Sequence, residues 1–266
     1  MRCAPKTRKM NAELKPDTTE DAVLGGRLRL RQPRRGHRVG HDAMLLAAAT
    51  GGNAGECAVD LGAGVGGAGL ALAVRMPGLN VTLVEIDNGL TELAAGNARL
   101  NGLEGRVRAL ACDAGDIAAL GRAGLAPASV DRVLMNPPFN DTARQNVSPD
   151  PRRRLAHAAG PGLLARWAAS AAFLLKPRGV LTLIWRADAL GDVLAALKPE
   201  FGAVAVLPVL PRVGAPAIRV LVRAVKGGTG PMRDYPGLVL NDELGKPSAA
   251  AEAILRAGDT LAMASE

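Results

Sequence analysis

Apolar positions along the chain fall into two kinds of pattern. Short, mainly apolar runs, Ala58–Leu61, Val81–Val84, Val107–Ala111, Val130–Met135 and Val180–Trp185, read as buried strands. Between them lie stretches with helical spacing: Ala43–Ala49, a run ending near Arg75, Asn88–Asn101 closed by Gly102, Leu163–Leu175 and Ala189–Leu197. Strands alternating with helices predict βαβ units wound around a parallel sheet. Two more runs, Val204–Leu210 and Ile218–Val225, supply a sixth and a seventh strand. Pro208, Pro211 and Gly214 make these two a hairpin, which predicts an antiparallel seventh strand at the sheet edge. The expected fold is α/β, a doubly wound seven-stranded sheet with an antiparallel last strand. After Gly237 the pattern predicts a short strand and a capped helix from Ser248 to Gly258, to which no function is assigned.

The pattern changes at the amino terminus. Residues 1–21 are predicted to be a disordered basic arm, and 22–266 a single domain that opens with a small extension over 22–41. In Arg27-Leu28-Arg29-Leu30-Arg31, leucine alternates with arginine, as in a hairpin with one apolar and one basic face. The net charge of +8 is concentrated here: residues 1–38 carry eleven Lys or Arg against Glu13, Asp17, Glu20 and Asp21, an excess of +7. Such a segment suits a polyanion, with Arg34, Arg35 and Arg38 as candidate phosphate contacts. A solvated tail or a guarded sheet edge accounts for the same charges. Asp42 is expected to cap the helix that starts at Ala43, or to face a cationic ligand.

Composition narrows the class. A chain of 266 residues that is 48% hydrophobic can bury a large core. No run of about 18 apolar residues lacks a charge or a breaker, and the first residues are polar, so a soluble cytoplasmic protein without a membrane partner is expected. Cys3, Cys57 and Cys112 lack metal-ligand spacing, so neither a metal nor a disulfide framework is predicted.

Candidate chemistry collects at the strand ends. Asn136-Pro137-Pro138-Phe139 follows the fourth strand, at the edge where open α/β sheets bind ligands. The prolines leave the carbonyls of Asn136 and Pro137 free, so with the Asn136 side-chain oxygen they can accept both hydrogens of an NH2 group. Phe139 offers a face for a planar ring, and Pro138 lines the same approach. Gly62, Gly64 and Gly66 follow the first strand and let the backbone approach a ligand at a helix amino terminus. Gly62, Gly64 and Gly67 also fit a dinucleotide fingerprint, with Glu85 at the ribose distance. Asp60 argues against that reading, because it would repel a pyrophosphate but can receive the ammonium of a sulfonium amino-acid cofactor. Glu85 suits two ribose hydroxyls, and Asp113, after the third strand, suits an adenine amino group. Residues 141–159, rich in Arg and Pro, read as a substrate lid, with Arg152 and Arg153 as phosphate contacts and His157 beside them.

In order and spacing these residues resemble the class I S-adenosylmethionine-dependent methyltransferases, with their Rossmann-like sheet. More narrowly, Gly36–Leu46, Asp60–Gly64, Asn97–Asn101, the Asn-Pro-Pro-Phe element and Ser148-Pro with Ala156-His157 are similar to the bacterial tRNA(Val) adenine-N6 methyltransferase family. The resemblance runs from about Ala22 onward. It implies S-adenosyl-L-methionine as cofactor, held by Asp42, Asp60, Gly62, Gly64, Glu85, Asp113 and Asn136. It further implies Asn136, Pro137 and Phe139 at the reacting amine, and a tRNA partner. Other acceptors stay open: a protein glutamine amide, or adenine in DNA. So does an RNA-binding module that has kept the fold without turnover.

Overall fold

A computed structural model describes residues 17–36, 38–138 and 162–265. Strands β1 (Thr18–Val23) and β2 (Leu28–Pro33) form an antiparallel hairpin that begins at Thr18, not at Ala22. Its alternation holds: Leu28 and Leu30 are fully buried, and Arg29 and Arg31 point outward, where both pair with Glu20.

The main sheet contains β3 (Cys57–Leu61), β4 (Asn80–Glu85), β5 (Val107–Ala111), β6 (Val130–Met135), β7 (Leu175–Arg186), β8 (Phe201–Arg212) and β9 (Arg219–Lys226). Across it the order is β5-β4-β3-β6-β7-β9-β8, and two short strands, β10 (Arg233–Asp234) and β11 (Leu238–Asn241), pair with the outer side of β8. β3 pairs in parallel with both β4 and β6, so the winding direction reverses between β3 and β6. A crevice opens at such a reversal, at the carboxyl ends of the strands.

The last strand is antiparallel as expected, yet it does not lie at the edge. β9 is inserted between β7 and β8 and pairs antiparallel with each. Residues Val220–Val225 are buried without interruption, as befits an interior strand, whereas Pro208 and Pro211 sit in β8, nearer the margin where a missing N–H is tolerated. The direction of β9 brings its first residue, Arg219, to the carboxyl ends of the parallel strands.

Helices α1 (His41–Ala49), α2 (Gly67–Arg75) and α3 (Asn88–Leu100) cover one face together with the hairpin. Helices α4 (Ile117–Arg122), α5 (Leu163–Leu174) and α6 (Leu190–Leu197) cover the other. The tail helix α7 (Ala249–Glu252) is capped by the Ser248 hydroxyl and ends, through a wide turn, at Gly258 with φ of 78°. Arg75 donates to the carbonyls of Ile254 and Asp259, and Arg27 to that of Ala257. Two cations on the carbonyl end of a helix are favoured by its dipole, and they fasten the tail to α2 and the hairpin. No helix among the described residues is long and apolar enough to cross a membrane.

Candidate active site

The turn after β3 is pinned from several sides. The amides of Gly62 and Ala63 both donate to the Val84 carbonyl at 2.9 Å. Gly62, Gly64 and Gly66 have φ of 73°, 57° and 90°, a region that L side chains rarely adopt. Two of these glycines also make room for neighbours. A Cβ on Gly62 would lie 2.3 Å from the Trp167 ring, and one on Gly66 would lie 2.9 Å from Leu70 and Leu83. At Gly64 a Cβ would meet nothing within 4 Å, so this part of the turn faces the crevice.

Carboxylates surround the turn. Glu85 ends β4; its Oε2 accepts from Gly64 N–H and its Oε1 from Asp87 N–H, both at 2.9 Å. A carboxylate has about four acceptor positions, so Glu85 shapes the turn and can still accept from a ligand. Asp87 caps α3 through the Leu90 amide, and between these acids Ile86 is 49% exposed, an apolar face at the rim. Asp60 is only 2% exposed, and its Oδ2 accepts from Gly69 N–H at 2.8 Å. Burial raises its carboxyl to about 7, the Gly69 bond opposes the rise, and the charge of Glu85 adds to it. Asp113 is exposed and its Oδ1 closes a turn on Gly115 N–H at 2.8 Å.

On the other side of the reversal, Asn136 follows β6, with Pro137 buried and Pro138 half-buried behind it. The Asn136 Oδ1 is buried and has no hydrogen-bond partner among the described residues. A buried acceptor left so costs about 1–3 kcal/mol, which a fold tolerates mainly where a ligand completes it.

Residues 38–208 match the methyltransferase small domain family, well over half of the chain. The chain belongs to that family. Its methyl donor is S-adenosyl-L-methionine. A tRNA1(Val) (adenine(37)-N6)-methyltransferase of Porphyromonas gingivalis is 32% identical over 160 residues, 59% of this chain and 61% of that protein. A release factor glutamine methyltransferase of Chlorobaculum tepidum is 28% identical over 155 residues, 56% of this chain and 52% of that protein. This methyltransferase-family chain therefore matches about half to three-fifths of the length of these curated relatives. The crystal structure of a predicted O-methyltransferase from Agrobacterium tumefaciens superposes with a TM-score of 0.70 at 27% identity, covering 83% of this chain and 98% of that one.

In this methyltransferase small domain the carboxyl ends of β4, β3 and β6 lie side by side at the reversal. The open turn at Gly64, Glu85 with acceptor capacity to spare, the exposed Ile86 and the acceptor of Asn136 surround the point where the winding reverses. Trp167 and Ile86 were not singled out for this site in the sequence. Trp167 is buried, and its ring packs against the turn at Gly62 and approaches Gly115.

Two expectations need correction. Asp42 is not the helix cap: α1 starts two residues earlier than expected, with Gly40 at the cap position, and the Asp42 carboxylate accepts from Arg219 Nε at 2.9 Å. That ion pair joins α1 to β9 and occupies the group expected to face a cationic ligand. Arg38 does not present its guanidinium to a phosphate; it donates to Asp21 at 2.6 Å, Thr19 at 2.9 Å and the Pro33 carbonyl at 3.2 Å, closing the base of the hairpin. Arg34 forms an exposed pair with Asp17, and Arg35 is exposed. Phe139, Arg152, Arg153, His157 and the expected lid over 141–159 lie outside the described residues. Among the described residues no group of three or more His, Cys, Asp or Glu is placed to hold a metal.

Proposed function

We propose that this chain methylates an exocyclic amine of a planar base, the N6 of an adenine in tRNA. The observation that carries the reading is the buried, unpartnered Oδ1 of Asn136 beside the glycine turn. When bound, the donor supplies a methyl group made electrophilic by its sulfonium. The chain's own residues do the rest. Glu85 receives ribose hydroxyls, Asp113 the adenine amino group, and Asp60 lies beneath the turn where a cationic amine is attracted. Asn136 Oδ1 and the Pro137 carbonyl accept the two hydrogens of the acceptor amine. With both hydrogens held, the nitrogen lone pair is drawn out of conjugation and aimed at the donor; alignment of this kind is worth about 7–11 kcal/mol in favourable cases. After transfer the nitrogen is acidic enough to lose its proton to solvent. The base must leave its stack to reach this clamp.

The tRNA reading draws support from the Porphyromonas relative and from the exposed Arg34 and Arg35 that follow the hairpin. A glutamine amide also presents an NH2 group, and the Chlorobaculum relative keeps that acceptor as the second reading. Labelled S-adenosyl-L-methionine incubated separately with tRNA, DNA and release factor distinguishes them. We expect label in tRNA, recovered as N6-methyladenosine; label confined to release factor or to DNA would refute the assignment.

The hairpin charges make a second expectation. The pair of Arg34 with Asp17 is solvent-exposed, so it contributes little and a phosphate can displace it. Replacing Arg34 and Arg35 together by alanine should reduce the slope of log affinity against log salt by about 1.5 for tRNA, near 0.7–0.9 per lost phosphate contact. Equal slopes for the two proteins would leave the hairpin without this role.

A further inference from the structure

Asn97, in the last turn of α3, and Asn101, its C-cap, stand four residues apart and face the free edge of β2. Asn97 Oδ1 accepts from Arg31 N–H at 2.7 Å, and its Nδ2 donates to the Arg31 carbonyl at 3.0 Å. Asn101 repeats the arrangement two strand residues away: Oδ1 accepts from Arg29 N–H at 2.9 Å, and Nδ2 donates to the Arg29 carbonyl at 2.7 Å. The match is geometric. Four helical residues rise about 6 Å and two strand residues about 6.6 Å, so carboxamides at i and i+4 meet the backbone of alternate strand residues. The helix thereby acts as a third strand of the hairpin.

The two asparagines differ in one bond. The remaining Nδ2 hydrogen of Asn101 goes to the Asn97 carbonyl within α3. That of Asn97 goes to the carbonyl of Val65 at 3.0 Å, inside the Gly62–Gly67 turn. Asn97 is fully buried, and its oxygen and both amide hydrogens are engaged. The neighbouring peptides in the turn are held by Val84 and Glu85, so Asn97 supplies the third anchor, on the carbonyl just before the left-handed Gly66.

We propose that Asn97 is a positioning residue for the methyl donor: it fixes the Val65 peptide of the donor turn and couples that turn to the amino-terminal hairpin. Removing its side chain leaves the buried Val65 carbonyl without a partner, and the turn relaxes by rotating the peptide that joins Val65 to Gly66. An aspartate at 97 keeps the bond from Arg31 N–H but cannot donate to Val65 or Arg31. The coupling works in both directions, because a ligand that stiffens the turn must also stiffen whatever the turn is tied to. The inference rests on the donor and is independent of which amine accepts the methyl group.

Calorimetric titration of the full chain with S-adenosylhomocysteine tests it, with Asn101 as the internal control. Asn97→Ala and Asn97→Asp should each weaken binding at least tenfold. Asn101→Ala, which loses equivalent bonds to the hairpin but none to the turn, should bind within twofold of the unaltered protein even if its melting temperature falls as far. Hydrogen exchange on the unaltered protein supplies a measurement free of folding defects: adding S-adenosylhomocysteine should slow exchange at Arg31 several-fold along with Gly64 and Gly66. Asn97 variants that bind within twofold, an Asn101 variant that loses as much affinity, or an Arg31 amide indifferent to ligand would each overturn the proposal. An unaltered protein that binds no S-adenosylhomocysteine would remove the donor assignment itself, and the inference with it.

Discussion

Asn136→Ala is expected to slow methyl transfer by about 10²–10³-fold, the loss typical when a group that acts on the reacting atoms is removed, while affinity for S-adenosylhomocysteine stays within about twofold. The split follows from what Asn136 touches. Among the described residues its Oδ1 has no partner, so the acceptor does nothing for the fold; on the proposed reading its partner is the incoming amine. The donor contacts assigned to the turn, Glu85 and Asp113 belong to other strands and survive the substitution. Stability supplies an independent sign. Deleting a buried acceptor that has no donor relieves desolvation, so the melting temperature should hold or rise slightly, in contrast to an ordinary truncation of a buried polar group. Turnover within threefold of the unaltered protein would sink the clamp, and so would donor affinity falling in step with rate, which would make Asn136 a donor contact alone.

Much of this architecture could be read from the chain. The mainly apolar runs became strands of the parallel sheet because burial on both faces favours apolar side chains along most of a strand, and the glycine turn and the Asn-Pro-Pro element fell at the carboxyl ends where such sheets open. The leucine–arginine alternation of Arg27–Arg31 likewise gave the two faces of the hairpin. What could not be read was pairing across large sequence separation. Asp42 and Arg219 are 177 residues apart, and nothing in the helix pattern around Asp42 announces a partner on β9. Arg38 looked like a phosphate contact because charge runs do not reveal which cations are already neutralised; Asp21, across the hairpin, takes it. The place of β9 was open to a better reading, since its apolar Val220–Val222 and Ala224-Val225 suit the interior and the prolines of β8 suit the margin. The spacing of Asn97 and Asn101 was visible as part of a motif, but its meaning depends on a strand 66 residues away in sequence.

Asp60→Asn should uncouple stability from donor binding. The carboxyl is buried and raised from 3.8 to about 7, whereas in the unfolded chain it titrates as an ordinary aspartate. Between these values the folded protein keeps a proton that the unfolded chain has lost, so this group makes the fold progressively less stable as pH rises from about 4 to about 7, and the loss is complete above 7. Asparagine keeps the shape and still accepts the Gly69 amide, but it has no charge to bury. At pH 8 the ligand-free variant should therefore be more stable than the unaltered protein, by roughly 4 kcal/mol, and the difference should shrink toward pH 4. Donor binding should move the other way. A cationic amine near Asp60 favours its ionised form, so the unaltered protein should bind S-adenosylhomocysteine more tightly at pH 8 than at pH 6, and the variant should bind at least tenfold more weakly at pH 8 with little dependence on pH across that interval. Melting curves from pH 4 to 9 and titrations at pH 6 and 8 measure both signs. A variant that melts several degrees lower at pH 8 would show that the buried charge is already compensated in the fold. One that binds donor as well as the unaltered protein would show that Asp60 supports the turn only through Gly69, a bond that asparagine preserves.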